Sequence, residues 1–169
     1  GLTAQLTEVL AQYNVRVLDM GQAVIHEDLT LGILFEVPLE SEASPILKDI
    51  LFKSYELGLN AKFTPISEER YDEWVSHQGK DRFIVTLLAR QLTAEHIAKA
   101  TALISDQGLN IDLITRLSGR TALHGDLSNS KAVVEFSVRG TPINIDAMKS
   151  GFVTIAGETG IDIAFQVDN

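Results

Sequence analysis

The chain has 169 residues, 45% of them hydrophobic, which is enough for one large domain or two small ones with a core. Its formal net charge of -9 argues against a nucleic acid or an anionic membrane as partner, since both are bound through clustered Lys and Arg. The absence of cysteine removes disulfides, thiolate metal sites and cysteine nucleophiles, and no apolar run approaches the roughly 18 residues of a membrane span.

Leu2, Leu6, Val9, Leu10 and Tyr13 recur at helical spacing, with Gln5, Thr7 and Glu8 between them. Asn14 to Pro38 then reads as one long β-hairpin. Leu29, Leu31, Ile33, Phe35 and Val37 alternate with Thr30, Gly32, Leu34 and Glu36, so one face is buried and the other mostly wet. His26, Glu27 and Asp28 are the expected turn, and Pro38 ends the second strand. A second helix follows, with Leu47, Ile50, Leu51 and Ser54 on its apolar stripe and Gly58 beyond its end. Ala61 to Ile66 is expected to be another short strand.

Residues 68–81 are polar and charged apart from Tyr71, Trp74 and Val75, and read as a linker. Trp74 is expected to pack that linker onto a domain surface rather than to stack a ligand. Phe83, Val85, Leu87 and Ala89 mark a strand with little polarity on either face, hence a central one. Next comes a helix capped by Thr93, with Ile97, Ala100, Leu103 and Ile104 inward and Gly108 at its end. A strand from Leu109 to Leu117, a polar stretch from Ser118 to Ser130, and a strand with Ala132, Val134, Phe136 and Val138 on one face complete a second hairpin. A helix over 143–157 with Met148, Phe152 and Ile155 inward leads to a last strand carrying Ile161, Ile163, Phe165 and Val167.

The two halves share this order, and short segments superpose. Asn14–Val17 lies over Gly108–Ile111, and Gly58–Phe63 lies over Gly160–Phe165. The extra residues of the second half belong in its hairpin loop, between Leu117 and Lys131. The domains implied are 1–67 and 82–169, joined by the linker 68–81. Two βαββαβ units make an α+β protein of two ferredoxin-like units in tandem, the first lacking its first strand. Either residues ahead of Gly1 or another chain would supply that strand.

The fold alone fixes no function. An RNA-recognition module needs aromatic residues on a basic central face, which this acidic chain lacks. An acylphosphatase needs an anion-cradling loop with a placed arginine, and no such loop precedes either helix. GLTAQLTEVL resembles the end of the Asp-x-Pro-Gly-Leu-Thr turn and helix of ACT domains. Together with VLDMGQAVIHEDLTLGILFEVP, YDEWVSHQGKDRFIVTLLAR and GLNIDLITRLSG, it makes the whole chain resemble the tandem ACT region that precedes the catalytic domain in one group of bacterial phosphoserine phosphatases.

That resemblance implies a regulatory module that binds L-serine or a similar amino acid, with a phosphatase domain downstream in cis. The catalytic half of such enzymes opens with D-x-D-x-[ST] and uses Mg2+. Asp106, Asp112, Asp126, Asp146 and Asp162 are each followed by the wrong residue two places on, so the expectation is no chemistry and no cofactor in this chain. Carried over by position, the ligand would meet Gly1, Leu2 and Thr3 at the turn and Asp19, Met20 and Gln22 on the following strand. Asn110, Asp112 and Ile114 are the counterparts in the second unit. Each has a plainer reading: Asp19 and Asp112 as solvated strand ends, Thr3 as a helix cap. The second turn, Arg90–Thr93, lacks Pro-Gly, and Glu95 adds negative charge beside it.

His26, His77, His96 and His124 have no partners at metal-ligand spacing, and no nucleophile elbow surrounds any serine. A cytoplasmic homodimer is expected, since unpaired strands seek partners and no signal-peptide pattern opens the sequence. The runner-up is a stand-alone tandem ACT protein of the glycine-cleavage-regulator kind, without ligand or catalytic partner.

Overall fold

The structure, a computed structural model, describes residues 1–38, 42–78, 81–125 and 130–168. Its backbone divides into two units, Gly1–Ile66 and Ser67–Asn169. Asp126 lies outside the described residues.

The first unit opens with α1 (Leu2–Ala11), followed by the antiparallel pair β1 (Arg16–Ile25) and β2 (Asp28–Glu36), then α2 (Ala43–Glu56). His26 takes a φ of 56°, and Asp28 already pairs with Ile25, so the turn is shorter than the sequence suggests. Leu10, Ile46 and Ile50 are the buried core, with Val9, Tyr13, Ile33, Phe35, Val37 and Phe63 packed against them. On α2 the inward stripe is Ile46, Ile50 and Ser54, while the predicted Leu51 faces out at 48% exposure. Ile46, Ile50 and Ser54 are spaced at i, i+4 and i+8, and Leu51, about 100° around the helix from Ile50, falls on the flank of that line.

The polar stretch read as linker is a helix, α3 (Glu68–His77). Ser67 caps it by accepting from the Arg70 N–H at 3.2 Å, Glu68 and Glu69 sit at its positive end, and Tyr71 and Trp74 pack at 5.9 Å between ring centroids. Capping and charge placement make a helix here without an apolar stripe. The rest of the second unit is β3 (Arg82–Ala89), α4 (Ala94–Asp106), β4 (Asn110–Arg116), β5 (Ala132–Arg139), α5 (Ile145–Thr159) and β6 (Asp162–Asp168). Its sheet is four-stranded in the order β4-β5-β3-β6, all pairs antiparallel, which is the ferredoxin-like arrangement with β3 central as predicted. Phe83, Val85 and Leu87 on β3 meet Ala100 and Ile104 from α4 and Met148 and Phe152 from α5 in one core. Each fully buried side chain of that size contributes about 1.5–3 kcal/mol. Thr93 caps α4 in a reciprocal box with His96.

The duplication is written into the backbone. α1 ends at Asn14 with φ 54° where α4 ends at Gly108 with φ 73°; Gly58 (72°) and Gly160 (71°) follow α2 and α5. Asn and Gly are the residues that enter this left-handed region at least cost. Both outer strands carry a bulge at the same place, between Val17 and Asp19 in β1 and between Ile111 and Leu113 in β4. Beyond it Ile33 faces Met20 as Phe136 faces Ile114. Ile46 and Met148, both 0% exposed, are equivalent anchors on α2 and α5.

The difference lies in the sheets. The first holds two strands, and residues 61–66, predicted to be a strand, form no ladder. Their counterpart β6 owes its strand form to pairing along β3, from Leu88↔Asp162 to Arg82↔Asp168. The first unit has no such strand, so an alternating pattern there has nothing to bond with.

Candidate functional site

Six of the predicted site residues belong to the first unit and three to the second. In the first, Gly1 is the N-cap of α1, and no side chain caps the helix. The Leu2, Thr3 and Ala4 N–H groups precede the first helical bond, from Gln5 N–H to Gly1 C=O at 3.3 Å, so they point outward at the positive end of the helix dipole. Thr3 is not the cap. Its hydroxyl instead donates to Oε1 of Gln22 on β1, which brings these two predicted residues together and ties the helix start to the strand. A Cβ added at Gly1 would meet nothing within 4 Å.

Asp19 and Met20 lie further along β1, just past the bulge. Asp19 Oδ1 accepts from the Met20 N–H at 2.9 Å, its other oxygen has no partner among the described residues, and Met20 is 48% exposed. This surface therefore offers outward N–H groups from α1, a Thr–Gln pair, and a half-free carboxylate on an adjoining strand. These are the donor and acceptor types a zwitterion requires, with a helix N-terminus for carboxylate and a carboxylate for ammonium.

In the second unit, Asn110 opens β4 in a shallow groove beside Thr101 and Ser105 of α4. Ile114 is exposed. Asp112 is the bulged residue itself, so its first-unit counterpart is Leu18 rather than Asp19. Its carboxylate accepts from Arg139 Nε at 2.8 Å, and the Arg139 guanidinium also donates to the carbonyl of Gln78 at the end of α3. Asp112 is thus part of an ion pair that ties the β4–β5 edge to α3. Nothing in the linear sequence marked Arg139, because its partners are 27 and 61 residues away.

Sequence reasoning also missed a cavity of about 180 Å³ in the first unit, lined by Leu31, Ile33 and Phe35 of β2, Leu10 of α1, and Ala61 and Phe63. None of the nine predicted site residues lines it. Its signal was the expected lack, in the first unit, of a strand matching β3.

Among the described residues no group of three or more His, Cys, Asp or Glu could hold a metal ion, and no helix is long and apolar enough to cross a membrane.

Residues 1–64 match the family profile described as ACT domain. Over 97% of its length the chain is 30% identical to a phosphoserine phosphatase of Streptomyces coelicolor, and over 98% it is 26% identical to one of Mycobacterium tuberculosis. It spans 36% and 37% of those two curated relatives. The same fold occurs in a protein of unknown function from Galdieria sulphuraria, with a TM-score of 0.72, 12% identity and coverage of 100% of this chain and 91% of that one. It occurs also in a putative glycine cleavage system transcriptional repressor, with a TM-score of 0.63, 12% identity and coverage of 100% and 90%.

Proposed function

With residues 1–64 an ACT domain and the chain similar along nearly its whole length to part of two phosphoserine phosphatases, we propose that it is the regulatory region of such an enzyme. It binds L-serine or a closely similar amino acid and biases the activity of a phosphatase domain encoded downstream. The Mg2+-dependent chemistry belongs to that domain. A ligand that favours one arrangement of the regulatory region shifts the population of the enzyme toward the matching state, by no more than its difference in affinity for the two.

The observation that carries the reading is the coupling of Thr3 to Gln22 beside the uncapped start of α1. The serine carboxylate is received by the outward N–H groups of Leu2 and Thr3, its ammonium by Asp19, and its hydroxyl by the Thr3–Gln22 pair, which exchanges a bond with it. Asn110 of the second unit is the remaining candidate there, since Asp112 is held by Arg139.

Isothermal titration of the chain with L-serine tests this. Saturable heat is expected, reduced at least about tenfold in apparent affinity by Gln22→Ala, which removes about 1.5 kcal/mol of hydrogen bonding. Serine heat unchanged in both Gln22→Ala and Asp19→Ala puts the site elsewhere. A free-standing dimerisation module, the second reading, has a structural counterpart in the putative glycine cleavage repressor, 90% of which the fold covers. It predicts no heat with any amino acid and a dimer that amino acids leave unchanged.

A further inference from the structure

One face of α2 is more apolar than its place in the fold requires. At about 100° per residue, Lys48, Phe52 and Tyr55 lie on the side of the helix away from the buried line Ile46, Ile50 and Ser54, flanked by Leu51 and Glu56. Leu51, Phe52 and Tyr55 are exposed by 48%, 66% and 84%. Single exposed apolar residues are ordinary, but three that adjoin on one helix face make a patch. The duplicated fold supplies a control. α5 has Met148 where α2 has Ile46 and, at the same offset, Thr154 for Phe52 and Gly157 for Tyr55. That helix packs on its sheet without either aromatic ring, so the rings of α2 answer to something other than folding.

The charges of this face say what it fits. Lys48 comes four residues before Phe52 and Glu56 four residues after it, each about 6 Å along the axis. Turned end over end about Phe52, α2 presents Glu56 to Lys48 and Lys48 to Glu56. The face is therefore complementary to itself when two copies run antiparallel, whereas parallel copies would oppose Lys48 to Lys48. A two-fold axis through Phe52 makes every contact twice, as an isologous interface requires. Lys48–Phe52–Glu56 and Leu51–Tyr55 are i, i+4 ridges, with a groove between them that the same ridge of another helix can enter. Both charges are available: Glu56 pairs only with Lys53 at 3.5 Å, and Lys48 has no carboxylate partner, among the described residues.

We propose that this face of α2 is a contact between two copies of the chain. The two α2 helices cross antiparallel at Phe52, the Phe52 and Tyr55 rings fill the facing groove, and Lys48 pairs with Glu56 of the partner subunit on both sides. One helix per copy offers less than the about 800 Å² per partner of a standard interface, so association is weak, half complete on the order of 0.1 mM. None of the residues belongs to the proposed amino-acid site, and the contact stands whether or not serine binds.

Sedimentation equilibrium of the 169-residue chain, from about 10 μM to about 1 mM, tests it, with far-UV circular dichroism to show that each variant is folded. The unchanged chain is expected to pass from monomer to dimer over this range. Phe52→Thr, the residue α5 carries at that place, should weaken association at least about tenfold. Lys48→Glu and Glu56→Lys each turn two attractive pairs into repulsive ones and should each weaken it about tenfold when alone. Mixed in equal amounts, the two charge variants face each other with opposite signs and should regain the original association. The proposal is overturned if the unchanged chain stays monomeric throughout, which would leave the face to another partner. It is overturned equally by a dimer that Phe52→Thr leaves intact, or by a mixture of the charge variants that associates no better than either alone.

Discussion

The helix ends of the two units provide an internal control for how much a left-handed residue costs. Gly108 takes φ 73°, its N–H donates to the Ser105 carbonyl at 2.9 Å, and Leu109 N–H closes back to Ile104 at 3.2 Å. A Cβ added there would meet only Ile143, at 3.9 Å, which is ordinary van der Waals contact. The cost of Gly108→Ala is therefore one of backbone alone. It is about 1–2 kcal/mol for an L-residue in this region, offset by roughly 0.4–1 kcal/mol from the stiffer unfolded chain. A net loss of about 0–1.6 kcal/mol is expected. The first unit solves the same geometry with Asn14 at φ 54°, so Gly108→Asn should cost clearly less than Gly108→Ala. Urea unfolding followed by far-UV circular dichroism reads both as midpoint shifts. Equal midpoints for the Ala and Asn variants would refute the reasoning, because sterics at Cβ then could not be what the position selects.

Phe136→Ala, at a site with 0% exposure in the centre of the second core, should cost about 3–5 kcal/mol, read by the same unfolding assay. Gly151→Val brings a side chain onto Leu103, whose Cδ2 lies 2.7 Å from a Cβ built there; overpacking of the α4–α5 contact should cost about 1–3 kcal/mol in the same measurement. Arg139→Met removes a partly exposed ion pair to Asp112 together with the bond to Gln78, and a double-mutant cycle with Asp112→Asn should return a coupling of no more than about 1 kcal/mol. The hydrogen bond that Tyr13 donates to Asp49 holds the Tyr13 phenol above its ordinary value of 10.0, with desolvation and the Asp49 charge adding in the same direction. A raised value means the folded state keeps the proton longer, so this contribution is complete below pH 10 and is lost as pH rises through the folded value. Tyr13→Phe should flatten that part of the alkaline unfolding curve, measured from pH 9 upward.

Where one residue's neighbours decide its structure, the sequence was readable. The alternation in β2, the Thr93 cap, the stripe on α4 and the glycines after α2, α4 and α5 all follow from local periodicity and local backbone cost. Where structure is set by distant partners, it was not. Leu51 looked inward by spacing, but Leu10 of α1 packs with Ile46 and Ile50, and that choice of line leaves Leu51 out. Residues 68–77 lacked periodicity, yet Ser67 and two acidic residues at the first turn suffice for a helix. The bulge at Leu18 and Asp112 has no residue signature and shows only in the pairing of both hairpins. For the site, position along the chain located the helix start and strand, while the tie between Thr3 and Gln22 and the capture of Asp112 by Arg139 depended on side chains that no spacing rule relates.

The failure of residues 61–66 to form a strand bears on every part of this. Phe63 keeps its place in the first core even without a ladder, so burial alone holds the segment near β2. Burial is non-directional and fixes proximity, whereas strand form requires a row of donors and acceptors facing it. The two halves have matching helices, matching bulges and matching apolar anchors, and their sheets diverge where β3 has no counterpart. One central strand therefore decides the state of two others, because in the order β4-β5-β3-β6 it is β3 that joins the hairpin to the last strand. The same strand leads into the turn whose equivalent at Gly1 carries the proposed carboxylate donors.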